Sequence, residues 1–186
     1  MDRLSRILKS AVAACLIFFS SAAWADVESE VLDQLFADLK AADAASSEKI
    51  EAKIWEEWSK SGSSAMDLLL HRGRVAMSAG DNEAAIAHFS ALIDHAPEFA
   101  EAYNARATAF YQADLYGPSL QDIRTTLAMN PRHFGALSGL ALILEELGEL
   151  EQALEAYRAI EAIHPNRENL QDAIERLEKA VGGVEL

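Results

Sequence analysis

From residue 66 onward, apolar side chains recur every three or four positions in segments broken by Gly or Pro, a pattern that predicts successive amphipathic helices. Leu69, Leu70, Val75, Ala76 and Ala79 carry one such helix. Gly80 and Asp81 then read as a helix stop followed by an N-cap. Ala85, Ile86, Phe89, Leu92 and Ile93 carry the next helix. Farther on, Leu140, Leu144 and Leu147 precede a stop at Gly148, and Leu150, Leu154, Tyr157 and Ile160 follow it. The intervening turn has Asp114 in place of glycine, and Pro118 falls in the first turn of the following helix, where a proline forfeits no hydrogen bond. Strict apolar/polar alternation is missing throughout, so the fold class is all-α.

A period lies over this pattern. Pro97, Pro131 and Pro165 are spaced by 34 and 34 residues. Blocks of that length starting at Met66, Ala100 and Phe134 bring further positions into register. Leu69, Tyr103 and Leu137 share one column, and Gly73, Ala107 and Ala141 share another. Ala85, Ser119 and Ala153 form a second small column, and Phe89, Ile123 and Tyr157 a large apolar one. Small residues belong where the helices of a unit cross, because a large side chain there would push them apart. A helix pair cannot bury its apolar face alone, so the units must stack.

These columns resemble the tetratricopeptide repeat, a helix-turn-helix unit with small residues at two fixed sites and a proline near its end. Ala107 and Ala141 depart from the family's usual glycine, and no tryptophan opens a repeat. The resemblance implies a right-handed superhelix of stacked antiparallel helix pairs, an α-solenoid with repeats at 66–99, 100–133 and 134–167. Residues 168–186, with Leu170, Ile174, Leu177 and Val181, suggest a capping helix and tail. Upstream, in 26–65, Val27, Val31, Leu32, Leu35, Phe36 and Leu39 make one helix, and Ile50, Ile54, Trp55 and Trp58 another, with Ala44 to Ser47 as their connection. Counting back one period sets Leu35, Leu39 and Trp55 in the repeat's columns but puts Glu51 in the small one. The segment therefore reads as a degenerate repeat or as an unrelated helical hairpin.

The first 25 residues have a different character. Arg3, Arg6 and Lys9 precede an apolar run from Ala11 to Phe19, and Ala23-Trp24-Ala25 offers a cleavage point before Asp26. The expectation is a signal peptide at 1–25 and a periplasmic or secreted mature protein. An uncleaved anchor or lipidation at Cys15 are the alternatives, the second leaving an unusually short apolar run before the cysteine. Without the leader, 13 basic residues face 29 acidic ones. That balance disfavours nucleic acid and anionic lipid, favours basic partners, and leaves the mature domain without cysteine.

No catalytic constellation is legible. His71, His88, His95, His133 and His164 lack metal-ligand spacing and read as partly exposed helix-end residues. No glycine-rich loop follows a strand and no nucleophile elbow occurs, so neither enzyme activity nor a catalytic, metal or cofactor site is expected. The resemblance instead implies a concave groove lined by the first helix of each unit. Carried onto this chain, its residues are Leu70, Arg74, Met77, Asn104, Thr108, Tyr111, Ser138 and Leu142, with Arg74 and Asn104 suited to a peptide backbone and Leu70, Met77, Tyr111 and Leu142 to apolar side chains. The basic clamp with which some family members grip acidic tails is not reproduced, since Leu70 and Gly135 stand at clamp positions. The expected function is a monomeric scaffold or adaptor of the bacterial cell envelope that binds a protein or peptide partner in this groove. A chaperone-like holdase with broad clients is the rival.

Overall fold

The computed structural model describes residues 30–183; the leader expected at 1–25 lies outside them. The described part of the first helix, α1, covers 30–41. It is followed by α2 (Ala44–Trp58), α3 (Ser64–Ser78), α4 (Asn82–His95) and α5 (Ala100–Gln112). Then come α6 (Tyr116–Met129), α7 (Phe134–Glu146), α8 (Leu150–Ile163) and α9 (Leu170–Gly182).

Local chemistry sets these boundaries. Helices α3, α5 and α7 end in left-handed residues, Gly80 (φ 78°), Asp114 (φ 58°) and Gly148 (φ 77°). After each, an amide reaches back to close the helix end: Asp81 to Ala76, Leu115 to Phe110 and Glu149 to Leu144. Helices α4, α6 and α8 end differently, at Ala96, Asn130 and His164, with φ of −136°, −134° and −138°. A proline follows each of them, and its ring excludes the helical conformation from the residue before it. The 34-residue spacing of Pro97, Pro131 and Pro165 is thus the spacing of identical helix stops.

Helices α3 and α4, α5 and α6, and α7 and α8 form the repeat pairs, and α4, α6 and α8 each lie along the first helix of the next unit or along α9. The small columns hold the crossings. A Cβ on Gly73 would lie 2.3 Å from the ring of Phe89, its partner in the large column. Ala85, Ala107, Ala141 and Ala153 are buried, and buried Ser119 satisfies its hydroxyl by donating to the Ala107 carbonyl at 2.8 Å. Phe89, Ile123 and Tyr157 fill the space between, and Phe89 is fully enclosed, so truncating it to alanine costs about 3–5 kcal/mol. Across α5 and α6, Arg106 makes a bidentate pair with buried Asp122 at 2.7 and 2.8 Å, a polar tie that apolar periodicity cannot reveal. Leu137 is buried in one core and Tyr103 packs, partly buried, against another.

The N-terminal hairpin follows another logic. The break between its helices falls at 42–43, where Asp43 caps α2 by accepting from the Ser46 amide at 2.8 Å, so Ala44 to Ser47 belong to α2 and are not the connection. A stacked preceding repeat would lay α2 along α3 as α4 lies along α5, and α2 makes no such approach. Its side chains reach the array instead, Trp55 and Trp58 meeting Phe134 and Glu51 meeting His164, and Ile54 and Trp58 belong to one core with Phe36, Leu39, Phe134, Ile160 and Leu177.

Candidate functional site: the concave face

Helices α3, α5 and α7 touch one another in sequence and form one wall of the molecule. Near the first turn of α5 the wall carries a buried charge. Glu101 is 3% exposed, and its carboxylate accepts from Arg74 at 2.6 Å, from Asn104 at 3.1 Å and from His133 Nε2 at 3.0 Å. His133 accepts from the Ala136 amide at Nδ1, capping α7, and this fixes Nε2 as the protonated nitrogen that donates to Glu101. With every oxygen of Glu101 bonded, burial of its charge is compensated.

Onto this wall folds α2. The Trp58 indole stacks on the His133 ring at 4.0 Å, and Trp55 meets Phe134 edge-on at 5.5 Å. Trp55 also fills the notch left by Gly135, where a Cβ would be 2.4 Å from the indole. Glu51 accepts from His164 Nε2 at 2.9 Å, and that bond holds the Glu51 carboxyl below its ordinary value against the opposing effect of burial. Ser59 bonds the Arg74 guanidinium at 3.0 Å. From α1, Asp33 pairs with Arg132 at 2.6 Å, and the Arg132 guanidinium lies 4.3 Å from the centre of the Phe36 ring. Beside α2 a cleft of about 640 Å³ remains, bounded by Trp55 and Ser59 on one side and by Arg74, Met77, Asn104 and Thr108 on the other.

The eight groove residues expected from the sequence divide accordingly. Thr108 and Leu142 are exposed, and Tyr111 is half-buried against Tyr116. Leu70, expected to meet apolar ligand groups, is instead a core residue at 2% exposure, because its side of α3 faces α4 and α5. Arg74 and Asn104 are engaged by Glu101, and half-buried Met77 packs on the same core. Ser138 donates to the Phe134 carbonyl and accepts from Arg167. His133 and His164 are not exposed helix-end residues: both are 1% exposed and each bonds a glutamate. The repeat's inner face also takes in Glu101, whereas Glu51, Trp55, Trp58 and Arg167 were not expected on it. The one signal available was Gly135, a gap in a column that elsewhere holds Asp67 and Glu101.

Comparison with known proteins agrees with this architecture. A tetratricopeptide repeat profile matches residues 70–117 and 119–168. A TPR repeat-containing protein of Rhizobium etli is 35% identical over 153 residues, covering 82% of this chain and 75% of that protein. Among solved structures, the first TPR of Spaghetti (RPAP3) bound to an HSP90 peptide superposes with a TM-score of 0.60 at 20% identity, covering 63% of this chain and 95% of that one. MamA superposes with a TM-score of 0.55 at 16% identity, covering 83% of this chain and 82% of its own. Proteins built from this repeat are typically non-enzymatic scaffolds for protein–protein interaction. With period, helix stops and stacked pairs in agreement with these matches, the chain belongs to the tetratricopeptide repeat family.

Proposed function

We propose that this protein is an adaptor of the bacterial cell envelope that holds a segment of a partner polypeptide on its concave face. The cleft between α2 and the α3–α5 wall carries the reading: it is open and lined by both apolar side chains, Trp55 and Met77, and polar ones, Ser59, Asn104 and Thr108, as a polypeptide segment requires. Peptide complexes of proteins with this fold, such as Spaghetti with its HSP90 peptide, lend support, as does the leader pattern of residues 1–25.

The test is crosslinking capture from envelope fractions with tagged chain, together with intact mass, which should begin at or near Asp26. Thr108→Trp, which fills the cleft from an exposed position, and Leu142→Ala should leave melting unchanged and reduce capture by about tenfold or more. The outer-face change Gln152→Ala should do neither. One stoichiometric partner supports the adaptor, and many unrelated clients would support the holdase. Capture that survives both concave-face changes sinks the groove reading.

A further inference from the structure

The seat on α7 is filled by a piece of the chain itself, and the way it is filled describes a ligand. Glu51, Trp55 and Trp58 are spaced i, i+4 and i+7, so they project from one face of α2. Each meets a prepared counterpart on the array: Glu51 meets His164 and, at 4.0 Å, Arg167; Trp55 the notch at Gly135; Trp58 the plane of His133. An apolar helix face with anchors at this spacing, laid across a wall of other helices, is the helix-in-groove mode of recognition. The charges are complementary. Glu51 of α2 stands opposite His164 and Arg167 of the array, and Glu48 lines the same cleft. The connection to α3 is only residues 59–63, with Gly62 in the left-handed region (φ 76°), and α2 does not lie along α3. The hairpin is held by the seat it occupies and not by stacking as a repeat.

We propose that α2 is a tethered internal ligand, and that the partner of this seat is an amphipathic helix with a carboxylate followed four and seven positions later by aromatic residues, which enters as α1 and α2 leave. This rests on the reading that the concave face binds polypeptide, and it supplies both the partner's chemistry and a control on its access. A short tether holds α2 at an effective concentration near the millimolar range, so an outside helix of equal quality competes poorly until the hairpin is released.

The probe is a fluorescein-labelled synthetic peptide with the sequence of Ala44–Trp58, titrated into full-length chains. A chain carrying Trp55→Ala and Trp58→Ala keeps its array wall intact and should bind the peptide about tenfold or more tightly than the unaltered chain. Glu51→Arg, which sets a like charge against Arg167 without removing a buried ring, should act in the same direction and serves where the double change impairs folding. Adding Gly135→Leu to the released chain should abolish binding, as should Glu51→Gln with Trp55→Ala in the peptide. Equal affinity for the unaltered and released chains, or binding indifferent to Gly135 and to the peptide's anchors, overturns the proposal. Capture of an envelope partner with a negative titration would leave the adaptor reading standing and this inference refuted; a positive titration without any captured partner would do the reverse.

Discussion

At Asp114 one residue does with a carboxylate what its counterparts do with no side chain. Its φ of 58° matches Gly80 and Gly148, and its amide closes the same turn by donating to the Tyr111 carbonyl at 3.0 Å. A non-glycine residue in this region carries roughly 1 kcal/mol of strain, partly offset by the lower backbone entropy that it surrenders on folding. Asp114→Gly should therefore raise the melting temperature, by a net stabilisation of a few tenths to about 1 kcal/mol, read by thermal denaturation. An unchanged or lower melting temperature would show that the carboxylate gives the turn something the backbone does not. The turn was legible in the sequence through its column. What escaped was the pair of buried histidines: His71 and His95 are exposed, and only the three-dimensional return of Glu51 and Glu101 gives His164 and His133 partners.

Among the helices, the crossing of α3 and α4 concentrates the repeat's logic at Gly73. With Phe89 within 2.3 Å of any added Cβ, Gly73→Leu must displace a fully buried ring, costing on the order of 1–3 kcal/mol through overpacking. Exposed Gln152 changed to alanine should stay within about 0.5 kcal/mol of the parent. Denaturant titration of both variants checks the contrast, and equal midpoints would detach the small column from packing. The helix pairs of 66–167 were readable because each of their constraints is local and repeated three times. The hairpin was not. Leu35 and Trp55 fit the repeat columns equally well whether they face a neighbouring unit or the concave wall, since an amphipathic helix advertises a buried face without naming its partner. Leu39 in the column of Gly73 and Glu51 in that of Ala85 were the discrepancies, and Glu51 is the residue that reaches His164.

For the molecule as a whole, the seating of the hairpin is a contact that responds to pH. Glu51 is held below its ordinary value of 4.5, mainly by His164, with Trp55 and Arg167 adding to the effect, and Glu48 and Glu168 line the same cleft. A depressed carboxyl contributes stability that is fully present above 4.5 and is lost as pH falls through its folded value. Hydrogen exchange of α2, or its tryptophan emission, should show the hairpin loosening as pH falls below 4.5, with a smaller pH response in Glu51→Gln. Identical pH profiles for the two chains would remove Glu51 from the docking energy. Net charge describes the whole surface, whereas at this contact the local pairing is Glu51 with His164 and Arg167.

The bond from the Ser47 hydroxyl to the Asn166 carbonyl spans 119 positions, whereas the repeat pairs close over a few tens of residues. Local pairings form fast and distant ones wait for the intervening chain to be ordered. The hairpin is synthesised before the array, yet the wall it needs is assembled after it. Until α7 and α8 are made, the tryptophans of α2 are without their cover, so the hairpin stays open to misassembly longer than the repeat pairs that follow it.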